Sequence, residues 1–128
     1  MNKYIPGNLV SVYVGVKKYI VEVIGTENEN EVLLYQIKFP NGEIQYADKD
    51  NIVPIPLAPE RLKKNGWKKF KRPYSSDYCY RRKGYPTLNI RSEKEVYFHW
   101  GDQDESITTV HQLQHLLFGL GLNSEMEV

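Results

Sequence analysis

The stretch over residues 52–67, Ile-Val-Pro-Ile-Pro-Leu-Ala-Pro-Glu-Arg-Leu-Lys-Lys-Asn-Gly-Trp, limits what this chain can fold into more than any other. Pro54, Pro56 and Pro59 each fix φ, remove a backbone donor and push the preceding residue toward extended backbone, so no regular element can run through them. A strand must end here and a helix must begin. Pro59 suits the first helical turn, Ala58 to Lys64 holds good helix formers, and Asn65-Gly66 supplies the left-handed residue on which helices stop. The chain is thereby parted into 1–56, a junction with a short helix over 57–66, and 67–128.

The first part reads as five short strands. Val10, Val12 and Val14 alternate onto one face, and residues 18–24 form a second β-rich run after Gly15. Residues 25–30 read as a polar turn. Leu33, Tyr35, Ile37 and Phe39 share a face of a third strand, and Pro40-Asn41-Gly42 predicts a tight hairpin to Ile44, Tyr46 and Ala47. Residues 52–55 make the fifth strand. The Gly7-Asn8-Leu9-Val10 opening and the Asn-Gly-Glu-Ile-x-Tyr hairpin followed by Asp48 resemble the small barrels of the Src-homology-3 and Tudor type. That resemblance implies a five-stranded small barrel and no function, because such barrels host many unrelated roles. An aromatic cage could be drawn from Tyr13, Tyr19, Tyr35 and Tyr46, against the plainer reading that strand aromatics pack a core.

The second part predicts an antiparallel meander of three or four strands: 67–72, 78–82, and a hairpin of 88–91 with 96–100. A helix over about 110–120, capped by Thr108 or Thr109 and ended at Gly121, should cover it with Val110, Leu113, Leu116, Leu117 and Leu120. His111, Gln112 and His115 fall on the opposite side, and the tail from Asn123 reads as loose. The fold class is therefore α+β, with an N-terminal five-stranded small barrel, a short junction helix, and a C-terminal antiparallel meander covered by one amphipathic helix. The Ile-Pro-Leu-x-Pro-Glu-x-Leu-x-Lys-Asn-Gly-Trp junction and the closing Val-His-Gln-Leu-Gln-His-Leu-Leu-Phe helix together resemble a group of small uncharacterised proteins of gut anaerobic bacteria, their phages and mobile elements. This likeness implies a phage or mobile-element setting and carries no catalytic residues with it.

A net charge of +1 conceals a sharp division: residues 1–60 carry −3, residues 61–94 carry +10 and residues 95–128 carry −6. The simplest account is mutual neutralisation in the fold. The lone Cys79 excludes an internal disulfide and fits a reducing compartment. No apolar run approaches a membrane span or a signal peptide, so a soluble cytoplasmic protein without membrane association is expected.

Few residues suggest chemistry. His111 and His115 stand at the spacing of a zinc pair, but Gln112 occupies the position where a zinc protease has its glutamate. Cys79 with His99 could form a thiolate–imidazole pair, and Asp102, Asp104 and Glu105 lack the spacing of a calcium loop. No phosphate loop or nucleophile elbow is present, so no enzyme, metal or cofactor is expected. What remains is a basic aromatic stretch. Lys68, Lys69, Lys71, Arg72, Arg81, Arg82 and Lys83 are interleaved with rings that include Tyr78 and Tyr80, the mixture that fixes phosphates and stacks bases. The expectation is a non-enzymatic module that binds nucleic acid. The alternative is a phage or mobile-element factor acting on a host protein, and an enzyme comes third. Oligomeric state is not readable.

Overall fold

The structure is a computed structural model that describes residues 4–71, 78–90, 98–100 and 106–128, with only the backbone of Ile90, Phe98, His99, Trp100 and Ser106 considered. The chain is of the α+β class and divides into two compact units, Met1–Ile55 and Pro56–Val128.

The first unit is a five-stranded antiparallel sheet of β1 (Leu9–Val14), β2 (Lys17–Glu29), β3 (Val32–Lys38), β4 (Ile44–Ala47) and β5 (Ile52–Pro54). The order is β4-β3-β2-β1-β5, and β4 and β5 are not paired with each other. The five expected strands are present, but among the described residues no closed barrel is found. Pro54 lies on an edge strand, where its missing donor breaks no ladder. Val10, Val12, Val21, Val23, Tyr35, Ile37, Phe39 and Ile52 form the core with Tyr4. The tyrosine cage does not assemble, because Tyr35 is buried edge-on against Tyr4 and Tyr19 packs on Phe39.

The polar turn expected over 25–30 is instead strand. β2 continues to Glu29, shifting register by a bulge between Val23 and Gly25 and pairing its far end with Val32 to Tyr35. The reversal is made by Asn30 (φ 50°) and Glu31 (φ 67°), the two left-handed residues of a tight hairpin. Asparagine tolerates this conformation and glutamate does not, so Glu31→Gly should raise stability by about 0.5–1 kcal/mol, read as a higher urea midpoint at unchanged slope.

The second unit contains α1 (Pro59–Lys64), α2 (Val110–Gly119) and a meander of β6 (Lys68–Lys71), β7 (Tyr78–Arg81), β8 (Leu88–Ile90), β9 (Phe98–Trp100) and β10 (Ser106–Ile107), ordered β10-β9-β8-β7-β6. Pro59 opens α1, which closes as the sequence predicts. Gly66 (φ 93°) is left-handed, its N–H reaches Lys63 O, and the Trp67 N–H reaches Leu62 O. Gly121 ends α2 by the same pair of bonds, from its own N–H to Phe118 O and from the Leu122 N–H to Leu117 O. The junction is bound to the start of α2, since the Leu57 N–H donates to Thr108 O at 2.9 Å and Pro56 bridges Thr109.

Two expectations need correction here. His111, assigned to the polar side of α2, is only 5% exposed, and the buried residues are Val110, His111, Leu113, Gln114 and Leu117, while Leu120 is exposed. The tail is not loose either. Gln114 donates to Ser124 O, and Asn65 and Lys64 hold residues 127 and 128 by their backbone.

Candidate cationic interface

Strand β6 begins two residues after Gly66, which stops α1, and forms an edge of its sheet. Its register with β7 sets Lys68 against Arg81, Lys69 against Tyr80, Phe70 against Cys79 and Lys71 against Tyr78. Alternation then puts Lys68, Phe70 and Arg81 on one face, and Lys69 and Lys71 on the other with Tyr78 and Tyr80. All four β6 side chains and Arg81 are exposed. The inner strand β7 buries Cys79 and Tyr80 together, since each is flanked by both neighbouring strands.

The cations are matched to rings within the chain. Lys69 Nζ lies 4.0 Å from the centre of the Tyr78 ring, and the Arg81 guanidinium lies 5.5 Å from that of Phe70. Arg82 is held more closely, 4.0 Å from Tyr85 and 5.1 Å from Trp67, two rings that themselves meet edge-on. Gly66 leaves room for it, because a Cβ there would come 3.3 Å from Arg82 Nε.

These facts sort the expected interface residues. Lys68, Lys69, Lys71, Arg81 and Lys83 are exposed, and Tyr78 is half-buried beneath Lys69. Arg82 is half-buried and serves the packing of Trp67 and Tyr85. Tyr80, at 1% exposure, cannot offer its ring to a base; burial first and the charge of Glu60 second push its phenol pKa up and keep it neutral. Arg72 lies outside the described residues, as do Asp102, Asp104 and Glu105. Phe70, 45% exposed, is the ring left available on the strand.

The remaining chemistry does not converge. Asn89 pairs with both Cys79 and His99, so the two backbones stand two strand spacings apart, roughly 10 Å, with a strand between them. Among the described residues no three metal-ligating side chains gather. The rings of His111 and His115 meet edge-on at 5.7 Å, and His111 Nδ1 lies 3.1 Å from Thr109 Oγ1. Gln112 belongs to the capping box of α2: its N–H donates to Thr109 Oγ1, and its Oε1 accepts the N–H groups of Thr108 and Thr109.

Burial lowers the His115 pKa below the ordinary histidine value. The unfolded chain therefore binds the proton more readily, and acidification favours unfolding. Stability should decline as pH falls from the ordinary histidine pKa, about 6.5, toward the lower folded value. His115→Gln should flatten that decline, measured as the melting temperature of both proteins at neutral and mildly acidic pH.

A cleft of about 480 Å³ is lined by Lys64, Asn65, Gly66 and Arg82 together with Asn123, Glu125, Met126 and Glu127. No family model, curated protein or solved structure matches this chain. No helix among the described residues is long and apolar enough to cross a membrane.

Proposed function

We propose that this chain is a non-enzymatic binding module that presents a cationic edge strand to an anionic partner, most simply single-stranded nucleic acid. The observation that carries this reading is the exposed run Lys68, Lys69, Phe70 and Lys71 on a strand that, among the described residues, is an edge of its sheet, with Arg81 opposite Lys68. Lysines on both faces of one strand can follow a phosphate chain along the edge, and Phe70 between them can stack a base. Lysine at a sheet edge also opposes strand-to-strand aggregation, a duty that needs no partner. Salt separates the two. Fluorescence anisotropy with labelled single-stranded DNA and RNA should show binding that weakens with a slope of about −0.7 per phosphate contact. Absence of binding even at low salt would leave edge protection as the whole role of these lysines.

A second reading is favoured by a different surface. The β1–β2 hairpin exposes Tyr13 and Ile20 on one face, Val14 and Tyr19 on the other, and Val16, 98% exposed, at its turn. Grouped exposed apolar residues are what a protein partner covers. In this reading the chain is a factor of phage or mobile-element origin that acts in the cytoplasm on a host protein. Val16→Lys would then abolish the association and leave oligonucleotide binding unchanged. In either reading we take the first unit as a small barrel open between β4 and β5. The long β2 shared between β1 and β3 and the 3-10 turn Lys49–Asn51 before β5 support this. We take α2 as the cover of the meander, a role supported by its buried Val110, Leu113 and Leu117.

A further inference from the structure

Residues 123–128 are attached to the second unit only through their main chain, as far as the described hydrogen bonds show. The Asn65 carboxamide treats Glu127 as a neighbouring strand would: its Oδ1 accepts the Glu127 N–H at 2.7 Å and its Nδ2 donates to Glu127 O at 2.8 Å. Lys64 Nζ donates to Val128 O at 3.0 Å, and Gln114 Nε2 donates to Ser124 O at 3.1 Å. Asn65 itself is fixed as the C-cap of α1, where Nδ2 also reaches Arg61 O at 2.6 Å. The clamp is thus part of the end of α1.

This anchoring leaves both glutamate side chains outside the bonds. Glu125 and Glu127 are exposed and line the same cleft as Lys64 and Arg82. Arg82 is kept in place by Trp67 and Tyr85, so its charge stays at the cleft whether or not the segment is present. Two of the cleft residues are neighbours of the edge-strand pair in sequence: Arg82 follows Arg81, and Gly66 stands two residues before Lys68. A two-carboxylate segment thus faces one end of the cationic surface, held by surface hydrogen bonds of modest net strength.

We infer that residues 123–128 are a tethered acidic strap that occupies one end of the cationic face and yields it to a polyanion. The inference rests on the reading of that face as a binding surface. Released, the strap frees Lys64 and Arg82 to extend the contact made by β6. Bound, it sets a threshold that short or weak anions do not pass, because they must displace a segment already clamped by its main chain.

The test uses the full chain, a fluorescent oligothymidylate of about 16 nucleotides, a length within the span of one single-strand site, and two variants. Asn65→Ala removes the main-chain clamp; Glu125→Gln with Glu127→Gln keeps the clamp and removes the charge from exposed positions, where folding is not at risk. Both should bind about three- to tenfold more tightly than the parent at low salt. In the parent, exchange of the Glu127 amide proton should accelerate when the oligonucleotide is added. Equal affinity of all three proteins, with Glu127 exchange unchanged, would overturn the strap and leave the cationic face standing. Failure of all three to bind would remove both, since the strap would have nothing to yield to.

Discussion

Trp67→Ala will unfold the second unit under conditions in which the parent chain is stable. The indole is 1% exposed and sits directly after the α1 stop, where Leu62 O receives its backbone N–H. Truncating a buried tryptophan removes about 3–5 kcal/mol, a large share of the 5–15 kcal/mol that hold a domain. Here the loss extends past the cavity. Tyr85 loses the ring it meets at 5.4 Å, and Arg82 keeps only one of its two aromatic neighbours, a half-buried charge with less to compensate its desolvation. Trp67→Phe should be far milder, because it retains an aromatic face and gives up chiefly the 3.5 Å bond from Nε1 to Pro86 O, too long to be strong. Urea denaturation followed by far-ultraviolet circular dichroism would measure both. A loss below about 1 kcal/mol for the alanine variant would mean that the site is not a core.

The same residues show how far the sequence could be read. Both helix ends were legible because Gly66 and Gly121 must be left-handed for the closing bonds to form, a local requirement that leaves a local mark. The core faces of β1 and β3 were legible for the same reason, since burial of Val10, Val12, Tyr35 and Ile37 forces a period of two. The far half of β2 was not. Residues 26–29 are exposed and polar, so they bury nothing that could impose a pattern, and their turn uses Glu31 where glycine would have announced it.

Side-chain partnerships were the least legible. Cations interleaved with aromatics read as a surface for nucleic acid, yet Arg82 lies between Trp67 and Tyr85, and Tyr80 is buried because β7 is an inner strand. The docking of residues 123–128 was invisible because the Asn65 carboxamide reads only backbone, which every sequence has. Asparagine before glycine at a helix end was a signal for the turn and concealed the second use of the same side chain.

The second large effect concerns the edge strand. Replacing Lys68, Lys69 and Lys71 together with glutamine should weaken single-stranded nucleic acid binding on the order of 100-fold at low salt and reduce the salt slope by about 2, three contacts at about 0.7 each. Stability should stay within about 0.5 kcal/mol of the parent, because all three side chains are exposed and Lys69 alone has a described ring partner. Glutamine keeps the stem length and the polarity of the edge, so a monodisperse variant separates partner binding from edge protection. Arg81→Gln should add to the loss. Arg82→Gln should not be used to argue it, since Arg82 supports Trp67 and any weakening would mix binding with folding. A change in slope is the informative quantity: loss of affinity at constant slope would point to a disturbed Phe70 stack and not to phosphates. If the triple variant binds as the parent does, the lysines only guard an edge, and the exposed β1–β2 hairpin becomes the surface through which this chain acts.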